Sequence, residues 1–229
     1  MSAAQKGVTT FGICIKPIIP STYFRTGTKN YADNGIQYSI SQKTGFSAGG
    51  LIRAGISKTF SFETGIMFAK RNYDLSITDT SFVGKSSFKV IAYEIPLNAI
   101  ATIQLDEKFF MSSALGLSLD ILPSDIYTAD PNDKYFRQYS ARNQKFNAAL
   151  NANLGAEYRT KKSGILYAGF SYHRSFSGLF TTIIEYYPNR NYDQVPYSKV
   201  VTELQGDYFT IDFRYYFHED PLKKKKKKN

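Results

Sequence analysis

The chain has 229 residues, of which 42% are hydrophobic and 16% aromatic, with 18 Tyr, 18 Phe and no Trp. That length suits one domain, and with a mean hydropathy of −0.33 and no run of eighteen apolar residues a spanning helix is excluded; a membrane barrel is not, because only alternate residues of its strands meet lipid. The formal charge of +10 contains the run Lys223, Lys224, Lys225, Lys226, Lys227 and Lys228, which leaves +4 for the rest; a block of like charges reads as a solvated tail, and no nucleic-acid partner is expected.

The start, Met1 to Gln5, has no hydrophobic signal core, so an exported chain is expected to have lost its signal peptide, with Ser2-Ala3-Ala4-Gln5 left around a cleavage site. Cys14 is the only cysteine, which excludes an internal disulfide and a thiolate metal cluster. Eight segments then alternate with period two, each near the ten or so residues that a tilted strand needs to cross a bilayer.

The first strand, Val8 to Lys16, sets Phe11, Ile13 and Ile15 against Gly12, Cys14 and Lys16. The second, Gly45 to Ile56, places Phe46, Ala48, Ile52, Ala54 and Ile56 outside and Ser47, Gly49 and Arg53 inside. The third, Phe60 to Arg71, opposes Phe60, Phe62, Ile66 and Phe68 to Ser61, Glu63, Gly65 and Arg71. In the fourth, Phe88 to Ile103, Tyr93, Ile95 and Leu97 face out and Glu94, Asn98 and Thr102 face in; Pro96 cannot donate to a ladder, which predicts a bulge or local break. The fifth and sixth run from Phe109 to Leu119 and from Phe146 to Tyr158, the latter with Glu157 inside. The seventh, Ile165 to Arg174, puts Ser171 and His173 inside. The last, Asp207 to Phe217, alternates Phe209, Ile211, Phe213, Tyr215 and Phe217 with Tyr208, Thr210, Asp212, Arg214 and Tyr216.

Connections alternate between short polar turns (57–59, 104–108, 159–164) and long segments (17–44, 72–87, 120–145, 175–206). Short periplasmic turns and long external loops characterise an up-and-down outer-membrane barrel, and an even strand count leaves both termini in the periplasm. Aromatics fall at both ends of the strands, as two interfacial girdles would require. A soluble barrel or sandwich with its apolar face inward is the alternative. Against it, the opposite face is rich in Gly, Ser and Asn and poor in lysine, unlike a water-facing surface.

These features resemble the Bacteroidota outer-membrane β-barrel family that includes the PorT-like proteins. The resemblance rests on Tyr93-Glu94-Ile95-Pro96-Leu97, the Gly-containing Ala114-Leu115-Gly116, Asn153-Leu154-Gly155-Ala156-Glu157-Tyr158 and the final aromatic strand. It implies an eight-stranded barrel without a catalytic motif and, for some members, service in type 9 secretion or larger outer-membrane assemblies. The alternation Phe209, Ile211, Phe213, Tyr215, Phe217 resembles a terminal β-signal, here followed by residues 218–229.

The expected organisation is an N-terminal segment (1–7), an all-β, eight-stranded antiparallel transmembrane barrel (8–217) and a Lys-rich periplasmic tail (218–229). Arg53, Glu63, Arg71, Glu94, Glu157, Asp212 and Arg214 are expected inside as paired charges, because an eight-stranded barrel is just wide enough for side chains to fill it and an unpaired buried charge is costly. Catalysis has little support. His173 with Ser171 and Ser175 near the outer rim is the one place for lipid-acyl chemistry, and Asp125, Asp130 and Asp133 lack the spacing of an EF-hand loop. No cofactor or metal is expected.

The long loops carry Tyr23, Phe24, Tyr31, Tyr38, Tyr127, Tyr135, Phe136, Tyr139, Tyr186, Tyr187, Tyr192 and Tyr197. Such residues either contact another protein or pack on one another as an ordered cap. The functional expectation is a non-enzymatic outer-membrane barrel in lipopolysaccharide and phospholipid, with protein partners in a secretion or assembly complex. A narrow pore, a stand-alone surface-binding protein and a rim lipid-modifying enzyme are the alternatives.

Overall fold

Period-two patterning produces strands, and no helices, over residues 7–80, 82–130, 135–160 and 163–218, the part of the chain that the computed structural model describes. In chain order they are β1 (Thr9–Ile19), β2 (Lys29–Asp33), β3 (Ile36–Gly55), β4 (Phe60–Thr78), β5 (Val83–Gln104), β6 (Phe109–Ile121), β7 (Ile126–Ala129), β8 (Phe136–Arg142), β9 (Phe146–Arg159), β10 (Ile165–Ser175), β11 (Phe180–Tyr186), β12 (Ser198–Leu204) and β13 (Tyr208–Tyr216). Eight of these pair antiparallel in the order β1, β13, β10, β9, β6, β5, β4, β3, and β1 pairs back onto β3. The ring is therefore closed and has no free edge. These are the eight strands predicted from the sequence, joined by short turns at one end, where both ends of the described chain also lie: Gly7 donates to the Gly55 carbonyl and Phe217 to that of Phe11.

The outer surface of the ring is apolar because every second residue is. Phe11, Ile13, Ile15, Ile52, Phe62, Ile66, Leu97, Leu115, Leu154, Leu166, Phe170 and Phe213 are all exposed. Two aromatic belts bound this band. Phe109 with Tyr158 and Tyr215 with Phe217 lie at the short-turn end; Phe46, Phe68 and Tyr93, and Phe24, Tyr172 and Phe209, lie at the other. A closed ring with such a band buries its apolar surface only in a bilayer.

Three strands run far past the bilayer. β3, β4 and β5 have 20, 19 and 22 residues, so β5 extends about 70 Å, and much of what was expected as irregular loop in 17–44 and 72–87 is strand. The change of level is marked in β3 by a bulge between Lys43 and Phe46. A bulge inserts one residue and shifts which residues face inward: Ser47, Leu51 and Arg53 face the interior below it, Ile36, Tyr38 and Ile40 above it. No bulge occurs at Pro96. Its ladder to β6 is continuous, and towards β4 the pairing lapses between Leu97 and Glu94 with the register unchanged.

Above the bulge the inner face becomes a hydrophobic core. Asn34 and Gly35, both at positive φ, form the turn that folds β2 onto β3 as a hairpin. The third and fourth long connections supply β7 and β8, and β11 and β12, which pair as a second sheet in the order β12, β11, β8, β7. Phe136, Phe180, Ile184, Tyr186, Val200 and Leu204 from this sheet pack on Ile36, Tyr38, Tyr73, Leu75, Ile77, Phe88 and Val90 of the projecting wall. Polar ties join the layers at their edges: the Asp33 carboxylate accepts from Ser198 and the Lys199 amide, Thr202 donates to Tyr31, and Ser86 meets Thr128. The long connections thus fold into an ordered cap.

Two consequences can be measured. Ile184 is fully buried, so Ile184→Ala costs about 2 to 5 kcal/mol, and hydrogen exchange should rise across 180–204 while the ring strands stay protected. Acid should loosen the same layer. Burial pushes the Glu185 carboxyl up, but hydrogen bonds from Arg137 and Tyr187 outweigh it and hold the group below its ordinary value; the Lys199 amide and Ser198 hydroxyl do the same for Asp33. Stability from carboxyls so depressed is present above their unfolded pKa and is lost as pH falls through the lower folded one. Exchange over 180–204, corrected for intrinsic rate, should therefore increase below about pH 4.

Candidate functional site in the barrel lumen

All seven charges expected inside, Arg53, Glu63, Arg71, Glu94, Glu157, Asp212 and Arg214, are buried in the lumen. Alternation alone places them there, since each lies on a ring strand out of phase with the exposed apolar residues. They form two tiers.

The lower tier begins with Arg53 and Glu63, directly opposite each other across β3 and β4 and paired at 3.3 Å. Arg53 also reaches Glu157 on β9 at 2.6 Å. In the closed order β3 and β9 are four strands apart in either direction, so this ion pair spans the full diameter. Arg214 on β13 joins Glu63 at 2.8 Å and Asp212 at 2.7 Å. Tyr216 accepts a hydrogen bond from Arg53 at 2.6 Å and donates its hydroxyl proton to Glu63.

Further members lie outside the seven expected charges. Lys16 lies 3.4 Å from Asp212. Arg159, expected in a turn, ends β9, holds Glu157 at 2.6 Å and stacks over Phe110. Tyr167 lies over Gly155 and Gly169, where any Cβ would collide with its ring or hydroxyl, and donates to Asn153 at 2.6 Å.

The upper tier joins Arg71 to Glu94 at 3.2 Å. Glu94 on β5 accepts the Tyr208 hydroxyl of β13, at 2.7 and 2.8 Å to its two oxygens. These strands are again four apart, giving a second crossbar. Asp120, expected in a loop, lies on β6 and bonds His173 Nε2 at 2.8 Å; His173 Nδ1 meets Asn151 at 2.9 Å, and its ring stacks on Tyr208.

His173 is therefore a buried lumen residue and not a rim residue. Ser171 donates to Asp212 and Ser175 to the Ser177 carbonyl, so neither hydroxyl engages the imidazole and the imagined Ser-His arrangement is not assembled. Ligand atoms of Glu94, Asp120 and His173 lie within 4.8 Å of one another, which makes them the residues that could hold a metal ion. Arg71, Tyr208, Ser118 and Asn151 already satisfy the same groups as a hydrogen-bonded network.

The remaining sequence-derived residues lie elsewhere. Phe209, Ile211, Phe213, Tyr215 and Phe217 form the outward face of β13 and its end. The lysines of 223–228 lie outside the described residues, as does Asp133. Asp125 is held by the Arg142 amide and by Tyr139, and Asp130 accepts from the Tyr135 amide. Of the loop aromatics, Tyr38, Phe136, Tyr186 and Tyr187 are buried in the cap and unavailable to a partner, whereas Tyr23, Phe24, Tyr127, Tyr139 and Tyr197 are exposed.

No protein-family model matches the chain, and no curated protein matches its sequence. Among solved structures, the outer membrane protein OprG from Pseudomonas aeruginosa is similar over 95% of this chain and 100% of its own, at 13% identity and a TM-score of 0.59. The outer membrane protease OmpT from Escherichia coli covers 92% and 94% at 10% identity and a TM-score of 0.39. The β domain of the Bordetella autotransporter BrkA covers 94% and 100% at 10% identity and a TM-score of 0.34. The likeness to OprG is one of fold: an all-β antiparallel barrel of the outer-membrane kind.

Glu63 carries the lower tier, since Arg53, Arg214 and Tyr216 all converge on it. Glu63→Ala should destabilise the barrel by about 3 to 5 kcal/mol, because two buried guanidinium groups lose their shared partner. Equilibrium urea unfolding in detergent, followed by circular dichroism, reads this directly. Replacing Glu63 and Arg214 together by Leu and Met should cost less than the sum of the single changes.

Proposed function

We propose that this protein is an outer-membrane barrel that works by binding other proteins, as an accessory subunit of a secretion or assembly complex of the PorT-like kind. The observation that carries this reading is the occupied interior: an ion pair from Arg53 to Glu157 and a hydrogen bond from Tyr208 to Glu94 cross the membrane section at two levels, and a hydrophobic core fills the ring's continuation above them. Conduction along the lumen would have to break buried charge pairs. Catalysis would need a reactive group open to substrate, and His173 is enclosed. What is left for recognition is the outside of the cap, where Tyr127, Tyr139, Val195, Tyr197 and Val201 are exposed. Aromatic side chains of this kind serve as anchors in protein interfaces.

In this reading the short turns and both termini face the periplasm and the cap faces the exterior, the outward apolar face of β13 is the signal for insertion, and the tail contacts periplasmic partners. Mild-detergent capture from outer membranes, with mass spectrometry of what co-purifies, should recover a stoichiometric protein partner. Capture should weaken on Tyr127→Ala/Tyr197→Ala, two exposed positions that leave the cap core intact. The purified barrel in planar bilayers should show no discrete conductance. Partner-free barrels or stepwise current would overturn the proposal.

A further inference from the structure

The outward face of β3, β4 and β5 changes character sharply just above the aromatic belt. Phe46, Phe68 and Tyr93 stand side by side, with ring centroids 5.8 and 5.9 Å apart. One step further along each strand, Lys43 lies opposite Asn72, Asn72 opposite Lys89, and Lys70 opposite Ile91. Three lysines thus occupy a patch about 10 Å across on adjacent strands. The outer side of this patch is overhung by Ser124 to Thr128, so that Lys43, Lys70, Asn72, Ser87, Lys89 and Tyr127 line a cavity of about 660 Å³.

The charge of this cavity is not cancelled from within. Among the described residues neither Lys70 nor Lys89 has an acidic partner within ion-pair distance. Lys43 meets Asp74 at 3.1 Å, but both side chains are substantially exposed, and such a pair yields cheaply to a better ligand. Asp125, the acidic group in the lining, is engaged by Arg142 through its amide and guanidinium. Asp74 also accepts from Ser87.

We infer that this cavity binds the phosphorylated sugar headgroup of an outer-leaflet glycolipid, with the phosphate on Lys43, Lys70 and Lys89 and the acyl chains descending over Phe46, Phe68 and Tyr93. The inference rests on the proposed orientation, in which the cap faces the exterior. Three features select this ligand. Lysines placed just beyond an aromatic belt meet lipid headgroups, where ammonium groups sit in the polar layer while their stems stay apolar. The volume falls in the range that encloses a small organic ligand and exceeds what a lone phosphate needs. The lining adds Asn72, Ser87, Thr44 and Thr128, which can hydrogen-bond sugar hydroxyls, and Tyr127, which offers a ring face.

The test uses the full chain in detergent, titrated with a bisphosphorylated diglucosamine lipid, its dephosphorylated counterpart, phosphatidylglycerol or inorganic phosphate, with bound fraction read by native mass spectrometry. The bisphosphorylated lipid should be retained best. Lys43→Gln/Lys70→Gln/Lys89→Gln should lower its affinity roughly tenfold or more, whereas Lys58→Gln/Lys108→Gln, at the opposite end, should not. These lysines are surface residues, and circular dichroism checks that the variants fold. Equal retention of the dephosphorylated lipid or of phosphatidylglycerol, displacement by inorganic phosphate at comparable concentration, or no loss in the triple variant would overturn the site. Orientation is read separately by labelling a Val195→Cys variant on whole cells. A barrel inserted the other way and a barrel without a lipid site therefore give different results, and capture by a Tyr197→Ala variant, outside the cavity lining, reports the protein partner separately from the lipid.

Discussion

Buried charge inside a closed ring of eight strands is the constraint from which the rest of this structure follows. A ring of that size has room for side chains and little else, so an arginine that points inward must find its carboxylate inside. Arg53 does so across the whole diameter, on Glu157, while its cross-strand neighbour Glu63 also serves Arg214. These contacts tie opposite walls together and set the relative height of β3, β4, β9 and β13. Removing Glu63 takes one of two carboxylate partners from each of Arg53 and Arg214, so the network acts as a unit and not as a sum of pairs.

The same wall performs two tasks at two heights. Below the bulge of β3 the ring faces lipid outside and pairs charge inside. Above it the medium outside is water, the inner face turns apolar, and β3, β4 and β5 continue as one layer of a sandwich whose second layer comes from the third and fourth connections. The bulge matters because a single inserted residue changes which side chains face inward. It lets one strand satisfy an ion-paired lumen and a hydrophobic core in succession. The lysines at this level lie just outside the same transition, where the belt ends and headgroups begin.

How much was legible depends on where the alternation was followed. Arg53, Glu94, Asp212 and Arg214 could be placed inside because the residues on either side of each are apolar or aromatic and obey the period, and Glu63 because it alternates with Phe60, Phe62, Ile66 and Phe68. Asp120 and Arg159 each lie one residue beyond the point where bilayer length ends the expected strand, whereas β6 and β9 continue to Ile121 and Arg159. The β2–β3 hairpin had a local signal in Asn34-Gly35, flanked by alternating residues. β11 and β12 had one in the β-branched runs Thr181-Thr182-Ile183-Ile184 and Val200-Val201-Thr202. Both belong to a soluble layer, and an expectation built only around the bilayer leaves no place for them.

The sequence by itself determined the all-β class, the eight ring strands, their order and which residues face in, because a period of two assigns every side chain to one of two faces and short turns force neighbours to be antiparallel. Which inward charges meet, that His173 is enclosed against Asp120, and that the tyrosine-rich connections pair as a cap were decided only by the tertiary structure. Those contacts join residues far apart in the chain, from Arg53 with Glu157 to Glu94 with Tyr208. Closing the ring and bending its twisted strands brings them to one level, and no local pattern records how far round or how high each one will fall.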